Sequence, residues 1–201
     1  MLKLYKDFDE IEVGLDECAR GVMFGRLYTA AVIMPKEITN NDFFEKIKDS
    51  KKLSKKKREE LYDFIKENSI EYSIAWIDEK EIDKINILQA NLKAFHLCLD
   101  KLKYNFTSIL VDGIHFNTYK FIPHECIKGG DNKYLSIAAA SILAKVEHDR
   151  YIKELCEKEP DLKKYDLENN MGYGTKKHIE AINQYGSCDY HRKTFGICKI
   201  K

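Results

Sequence analysis

Across residues 10–15, apolar Ile11, Val13 and Leu15 alternate with Glu10, Glu12 and Gly14, the period-two pattern of a half-buried strand. That strand runs out at Asp16 and Glu17. Residues 27–34 (LYTAAVIM) are apolar and β-branched enough for a second strand, which Pro35 stops. The short connection between the two predicts an antiparallel hairpin. Ser54 is placed to cap a helix whose stripe is Leu61, Phe64 and Ile65, and residues 71–77 (EYSIAWI) read as a third strand. Apolar residues then step by three and four at Ile82, Ile85, Leu88, Leu92, Phe95, Leu99 and Leu102. This predicts one long scaffold helix on which His96 has a structural place.

Residues 107–111 (TSILV) follow a helix and end in Asp112-Gly113, which fits a parallel strand buried on both faces. Residues 121–127 predict a fifth strand, with Pro123 at an edge, running into Lys128-Gly129-Gly130-Asp131. A long helix over 134–158 opens on small residues, with Asp131 at its N-terminal end, where an aspartate serves equally as a cap. Pro160 stops that helix, 161–170 read as a polar loop, and Thr175 is placed to cap a short helix over 176–184. Five strands among helices predict an α/β fold with a five-stranded mixed sheet flanked by helices.

Composition narrows the picture. A chain of 201 residues that is 44% hydrophobic can bury a full core in one domain. Lysine and arginine number 34 against 33 acids, so a polyanion has to be held by local patches and not by a global field. The six cysteines show no C-x-x-C pair, and the N-terminus lacks the apolar run of a signal peptide, which predicts a reducing, cytoplasmic location. No stretch approaches about 18 consecutive apolar residues, so no membrane span is expected.

The chemistry-bearing residues gather after strands. Asp16-Glu17 beside Arg20 and Gly21 fits a solvated turn, and it fits a hard-metal site facing a phosphate. Asp112 before a glycine and Asp131 after a glycine pair are unremarkable one at a time. In a mixed sheet these segments can converge into an all-carboxylate pocket for magnesium or manganese, wide enough for two ions roughly 4 Å apart. Residues 48–58 (KDSKKLSKKKR), seven of eleven basic, read both as a solvated helix start and as a phosphate-contacting edge carrying Lys51 and Lys52. Ser141 and Lys145 share a helix face at i, i+4. Tyr173, between two glycines, offers a ring on accessible backbone for stacking on a base or sugar.

Six runs in order carry a resemblance: GLDECARG at 14–21, DSKKLS at 49–54, VDG at 111–113, GD at 130–131 with SIAAASILAKV at 136–146, GYGT at 172–175 and HRKTF at 191–195. Together they resemble the ribonuclease HII family. The resemblance implies a ribonuclease H-like fold, with a catalytic core over 1–158 and a small helical C-terminal extension over 159–201. It also implies a divalent-metal endonuclease acting on RNA in RNA/DNA hybrids and on ribonucleotides embedded in duplex DNA. The family's metal ligands fall on Asp16, Glu17, Asp112 and Asp131. Its Gly-Arg-Gly, which reads the ribonucleotide 2′-OH and the next phosphate, falls on Ala19-Arg20-Gly21, and its sugar-packing tyrosine on Tyr173. Arg192 of the last run joins Lys51, Lys52, Ser141 and Lys145 as an expected substrate-binding residue. Cys18, Ala19, Val22 and Met171 depart from the family pattern. A monomer is expected, and the tail after Phe195 has no sliding-clamp motif. Two other classes fit the sequence less well. An actin-like phosphotransferase needs two Asp-x-Gly phosphate hairpins. A non-catalytic nucleic-acid-binding module has no use for four acids beside a polyanion.

Overall fold

A computed structural model describes residues 2–37, 42–48 and 50–199. Asp49, at the head of the DSKKLS run, lies outside the described residues. The elements are β1 (Glu12–Cys18), β2 (Leu27–Ile33), α1 (Asp42–Lys46), α2 (Lys55–Asn68), β3 (Glu71–Ile77), α3 (Glu79–Ile85), α4 (Ile87–Lys101), β4 (Ser108–Asp112), β5 (His124–Ile127), α5 (Leu135–Lys158), α6 (Leu167–Asn170) and α7 (Lys176–Tyr185). The sheet order is β3-β2-β1-β4-β5. The first three strands pair antiparallel, while β4 runs parallel to β1 and β5 parallel to β4. The sheet is therefore mixed, as the strand pattern predicts.

Helices cover both faces. Small residues let α5 lie close on β1: a Cβ added at Gly14 would come 2.4 Å from the Ser136 carbonyl carbon. Ala138, Ala139, Ala140 and Ala144 of α5 pack with Ala30 and Val32 of β2 and with Leu61 and Ile65 of α2. On the other face Phe95, Cys98 and Leu99 of α4 meet Val13, Leu15, Ala31 and Val111. A third cluster joins Phe24, from the β1–β2 connection, to Ile152 and Cys156 of α5 and to Leu162, Tyr165, Leu167 and Ile182 downstream.

Four elements differ from the pattern reading. The periodic run from Ile82 breaks at Asn86, which sits at φ 68° and accepts hydrogen bonds from the Leu88 and Gln89 amides, ending α3 and capping α4. The fifth strand shrinks to four residues, because Lys120 and Phe121 adopt φ 43° and 59° in a turn and Pro123 has no amide to donate. Residues expected as polar loop form a 3₁₀ helix, Pro160–Tyr165, and α6, because Leu162, Tyr165 and Leu167 are buried. The β1–β2 connection is eight residues long, not short, and its path matters below. Ser54 and Thr175 cap α2 and α7 as expected, accepting from the Lys57 and His178 amides.

Candidate functional site

Unequal pairing on the two sides of β1 creates the site. Its parallel neighbour β4 is in register only to Leu15↔Val111, whereas β2 stays paired to Cys18↔Tyr28. Asp16 and Glu17 thus lie inside the strand and not beyond it, held from one side and open on the other. Side chains alternate along a strand. Leu15 and Val111 face α4, so Asp16 and Asp112 face α5. Glu17 comes round the sheet end, and ligand oxygens of Asp16, Glu17 and Asp112 all lie within 4.8 Å of one another.

The surroundings hold these acids in place. Asp16 is 4% exposed; its carboxylate takes the Glu17 amide at 2.7 Å and the Ser141 hydroxyl, which in turn bonds Ser50 at 3.0 Å. Asp112 accepts the Gly130 amide at 2.7 Å. Burial, followed by the charges of Glu17 and Asp112, pushes the Asp16 carboxyl well above the ordinary range. Burial also raises Glu17, with Arg20 pulling the other way and Asp112 adding to the rise. Arg20 approaches Glu17 only to 3.8 Å. Three crowded carboxylates with an all-oxygen donor set suit a hard divalent cation of the magnesium or manganese kind, which relieves their repulsion.

Asp131 comes from the neighbouring turn and is not one of the three acids sharing that 4.8 Å span. It lies in a 3₁₀ turn, Gly130–Asn132, at 6% exposure, with its carboxylate on the Asn132 side-chain amide at 2.8 Å. It is not the cap of α5, whose N-cap is Tyr134. Its turn nevertheless braces Asp112 through the Gly130 amide. Beside the acids opens a cleft of about 610 Å³, lined by Glu17, Ala19, Arg20, Gly21, Lys51, Ser141, Lys145 and Tyr173.

Residues 13–198 match the family model described as Ribonuclease HII. The chain is also 44% identical over 197 residues to the ribonuclease HII of Bacteroides thetaiotaomicron, spanning 98% of this chain and 95% of that one. The chain belongs to the ribonuclease HII family. Ribonuclease H2 from Pyrococcus horikoshii OT3 has a similar structure, with a TM-score of 0.73 at 25% identity over 94% of this chain and 95% of that one. Bst-RNase HIII, solved in complex with Mn2+, shares the fold at a TM-score of 0.68 and 17% identity, over 94% of this chain and 68% of that one. The mixed sheet and flanking helices are therefore the ribonuclease H-like fold expected from the resemblance.

Set against that family, the expected substrate residues divide. Arg20, with 43% of its side chain exposed, and Tyr173, 41% exposed, face the cleft. Lys145 bonds Asp149 at 2.7 Å and stands 6.0 Å from the Tyr173 ring centre. Lys52 reaches across to the Asn132 side chain, tying the basic run to the turn of Asp131. Ser141 lines the cleft at 5% exposure with its hydroxyl on Asp16, and Arg192 is fully buried, facing the β1–β2 connection and not the cleft. Ser50, Arg58 and Asp149 were missed as parts of the site. Asp149 follows Lys145 at i+4 on one helix face, a signal present in the sequence, whereas Arg58 bonds the Ser50 and Leu53 carbonyls. Cys18 is buried, which pushes its thiol up to about 12, and it packs as a small apolar group.

Proposed function

We propose that this chain is a divalent-metal-dependent endonuclease that hydrolyses the RNA strand of RNA/DNA hybrids and cuts on the 5′ side of ribonucleotides embedded in duplex DNA, leaving 3′-OH and 5′-phosphate ends. The observation that carries the reading is the oxygen cluster of Asp16, Glu17 and Asp112, within 4.8 Å, at the edge of a cleft that also presents Arg20, Lys51 and Lys145. In this reading Asp131 completes the ligand set from its neighbouring turn. A cation bound there would supply Lewis-acid activation of the scissile phosphate and of an attacking water. Ser141 and the Glu17 amide orient Asp16, and the Gly130 amide orients Asp112. Arg20 and Lys51 meet phosphate oxygens, and Tyr173 packs on a sugar. Residues 159–201 act as the substrate-binding extension of the core formed by 1–158. A module that only bound nucleic acid would gain nothing from three carboxylates facing a polyanion, since like charges repel. The test is cleavage of a labelled RNA/DNA hybrid with Mg2+, with Mn2+ and with a chelator. Cleavage with either ion and none under chelation supports the reading; binding without cleavage in both ions overturns it.

A further inference from the structure

Arg192 is among the largest side chains with no exposure in the molecule, and it carries a charge. No carboxylate forms an ion pair with it among the described residues, and burial pushes its pKa down to about 10. A guanidinium taken out of water at that cost is expected to hold something. Its Nε donates to the Gly25 carbonyl at 2.9 Å and its Nη1 to the Arg20 carbonyl at 3.1 Å. The planar fork therefore spans both ends of the β1–β2 connection. The backbone adds to the grip: the Arg192 amide donates to Met23, Gly25 donates to Tyr190, and Met23 donates to Gly172.

The connection it grips is strained. Ala19 sits at φ 70°, left-handed backbone that a residue with a Cβ adopts only under strain. Such conformations persist where the surroundings over-determine them. Next in sequence is Arg20, whose side chain faces the cleft while its carbonyl points inward to Arg192.

We propose that Arg192 is a positioning residue for ribonucleotide discrimination: from inside the protein it fixes the Arg20 carbonyl, and so the direction in which Ala19-Arg20-Gly21 meets the substrate. The proposal rests on reading the cleft as a ribonucleotide site. A DNA duplex with one ribonucleotide offers a single productive register, whereas a continuous hybrid offers many. A loosened connection therefore harms cleavage of the first more than cleavage of the second.

The experiment measures kcat/KM for wild type and Arg192→Lys on both substrates, with the melting temperature of each protein. Lysine keeps the charge but cannot fork between two carbonyls. Expected is a loss of about tenfold or more on the single-ribonucleotide duplex and less than about threefold on the hybrid. Should Arg192→Lys melt below the assay temperature, Arg192→Gln removes the buried charge, keeps one planar donor, and is expected to give the same split. Equal losses on both substrates, or none, in the variant that folds overturn the proposal. A wild type that cuts the hybrid but not the single-ribonucleotide duplex would overturn the underlying reading instead, a result visible before any variant is compared.

Discussion

Ala19 shows how one residue links backbone strain to chemistry. Its φ of 70° means the alanine holds the conformation that a glycine would adopt freely. Ala19→Gly is therefore expected to raise the melting temperature by roughly 2–4 °C per kcal/mol of strain relieved. It should also raise kcat/KM on a single-ribonucleotide duplex by about tenfold or less, with a smaller gain on a hybrid. An unchanged melting temperature and equal gains on both substrates would count against this account of Ala19. Asp112→Asn is expected to abolish cleavage while leaving substrate affinity within about threefold, since a neutral amide is a poorer ligand for a hard ion but spares the phosphate contacts. Electrophoretic binding and cleavage assays on the same substrate separate the two effects. Residues of this kind were legible in the sequence because each acid follows a strand pattern or a glycine. Arg192 was not: its partners Gly25 and Arg20 lie 167 and 172 residues away, and no local pattern distinguishes a cation that faces inward from one that faces a phosphate.

Among the elements, the 3₁₀ turn Ser50–Lys52 has two roles that its basic run concealed. Ser50 is 3% exposed and bonds Ser141, which holds Asp16, while Lys51 on the same turn lines the cleft and lowers the neighbouring Glu17 by its charge. The solvated-helix and phosphate-edge readings divide at this point, because α2 begins only at Lys55, after its Ser54 cap. Lys51→Ala is thus expected to weaken binding to every nucleic-acid substrate and to reduce the slope of log K against log salt by about one phosphate contact. Fluorescence titrations over a salt series check this, and an unchanged slope would return Lys51 to the solvated surface. Hydrophobic period located the helices well but not their breaks. Ile82 to Leu102 keeps its step through Asn86, and only the side chain of that asparagine, competing for the Leu88 and Gln89 amides, divides the run into α3 and α4. The length of the fifth strand was hidden for a similar reason, since positive φ at Lys120 and Phe121 leaves no mark on an apolar pattern.

At the scale of the whole molecule, a buried histidine pair ties the C-terminal third together, and one of the two, His191, also packs edge-on against Phe24 of the β1–β2 connection at 5.0 Å. The Cys188 amide donates to His191 Nδ1 at 3.0 Å, which leaves the proton on Nε2 to face His178 Nε2 at 3.1 Å; His178 Nδ1 then donates to the Tyr173 carbonyl at 2.9 Å. Both rings are neutral in this chain of bonds. Burial, then the neighbouring His178 and Lys193, lowers His191 to about 3, and burial also lowers His178. The unfolded chain takes up these protons near its ordinary value of about 6.5, before the folded one does, so stability falls as pH drops below that, for His191 from there toward 3 by up to about 1.4 kcal/mol per pH unit. Denaturant titrations from neutral to acid pH should show that slope, and His191→Gln should flatten it by about one proton. The central claim, that Asp16, Glu17 and Asp112 form a metal-dependent site that reads a ribonucleotide, is tested most directly with one substrate. Wild-type protein is incubated with a DNA duplex containing a single ribonucleotide, with Mg2+ and with a chelator, and the ends are mapped. The account predicts one cut immediately 5′ to the ribonucleotide, an upstream fragment ending in 3′-OH, and no product under chelation or from an all-DNA duplex. Cleavage that survives chelation, falls elsewhere in the duplex, or fails to occur with Mg2+ would contradict it.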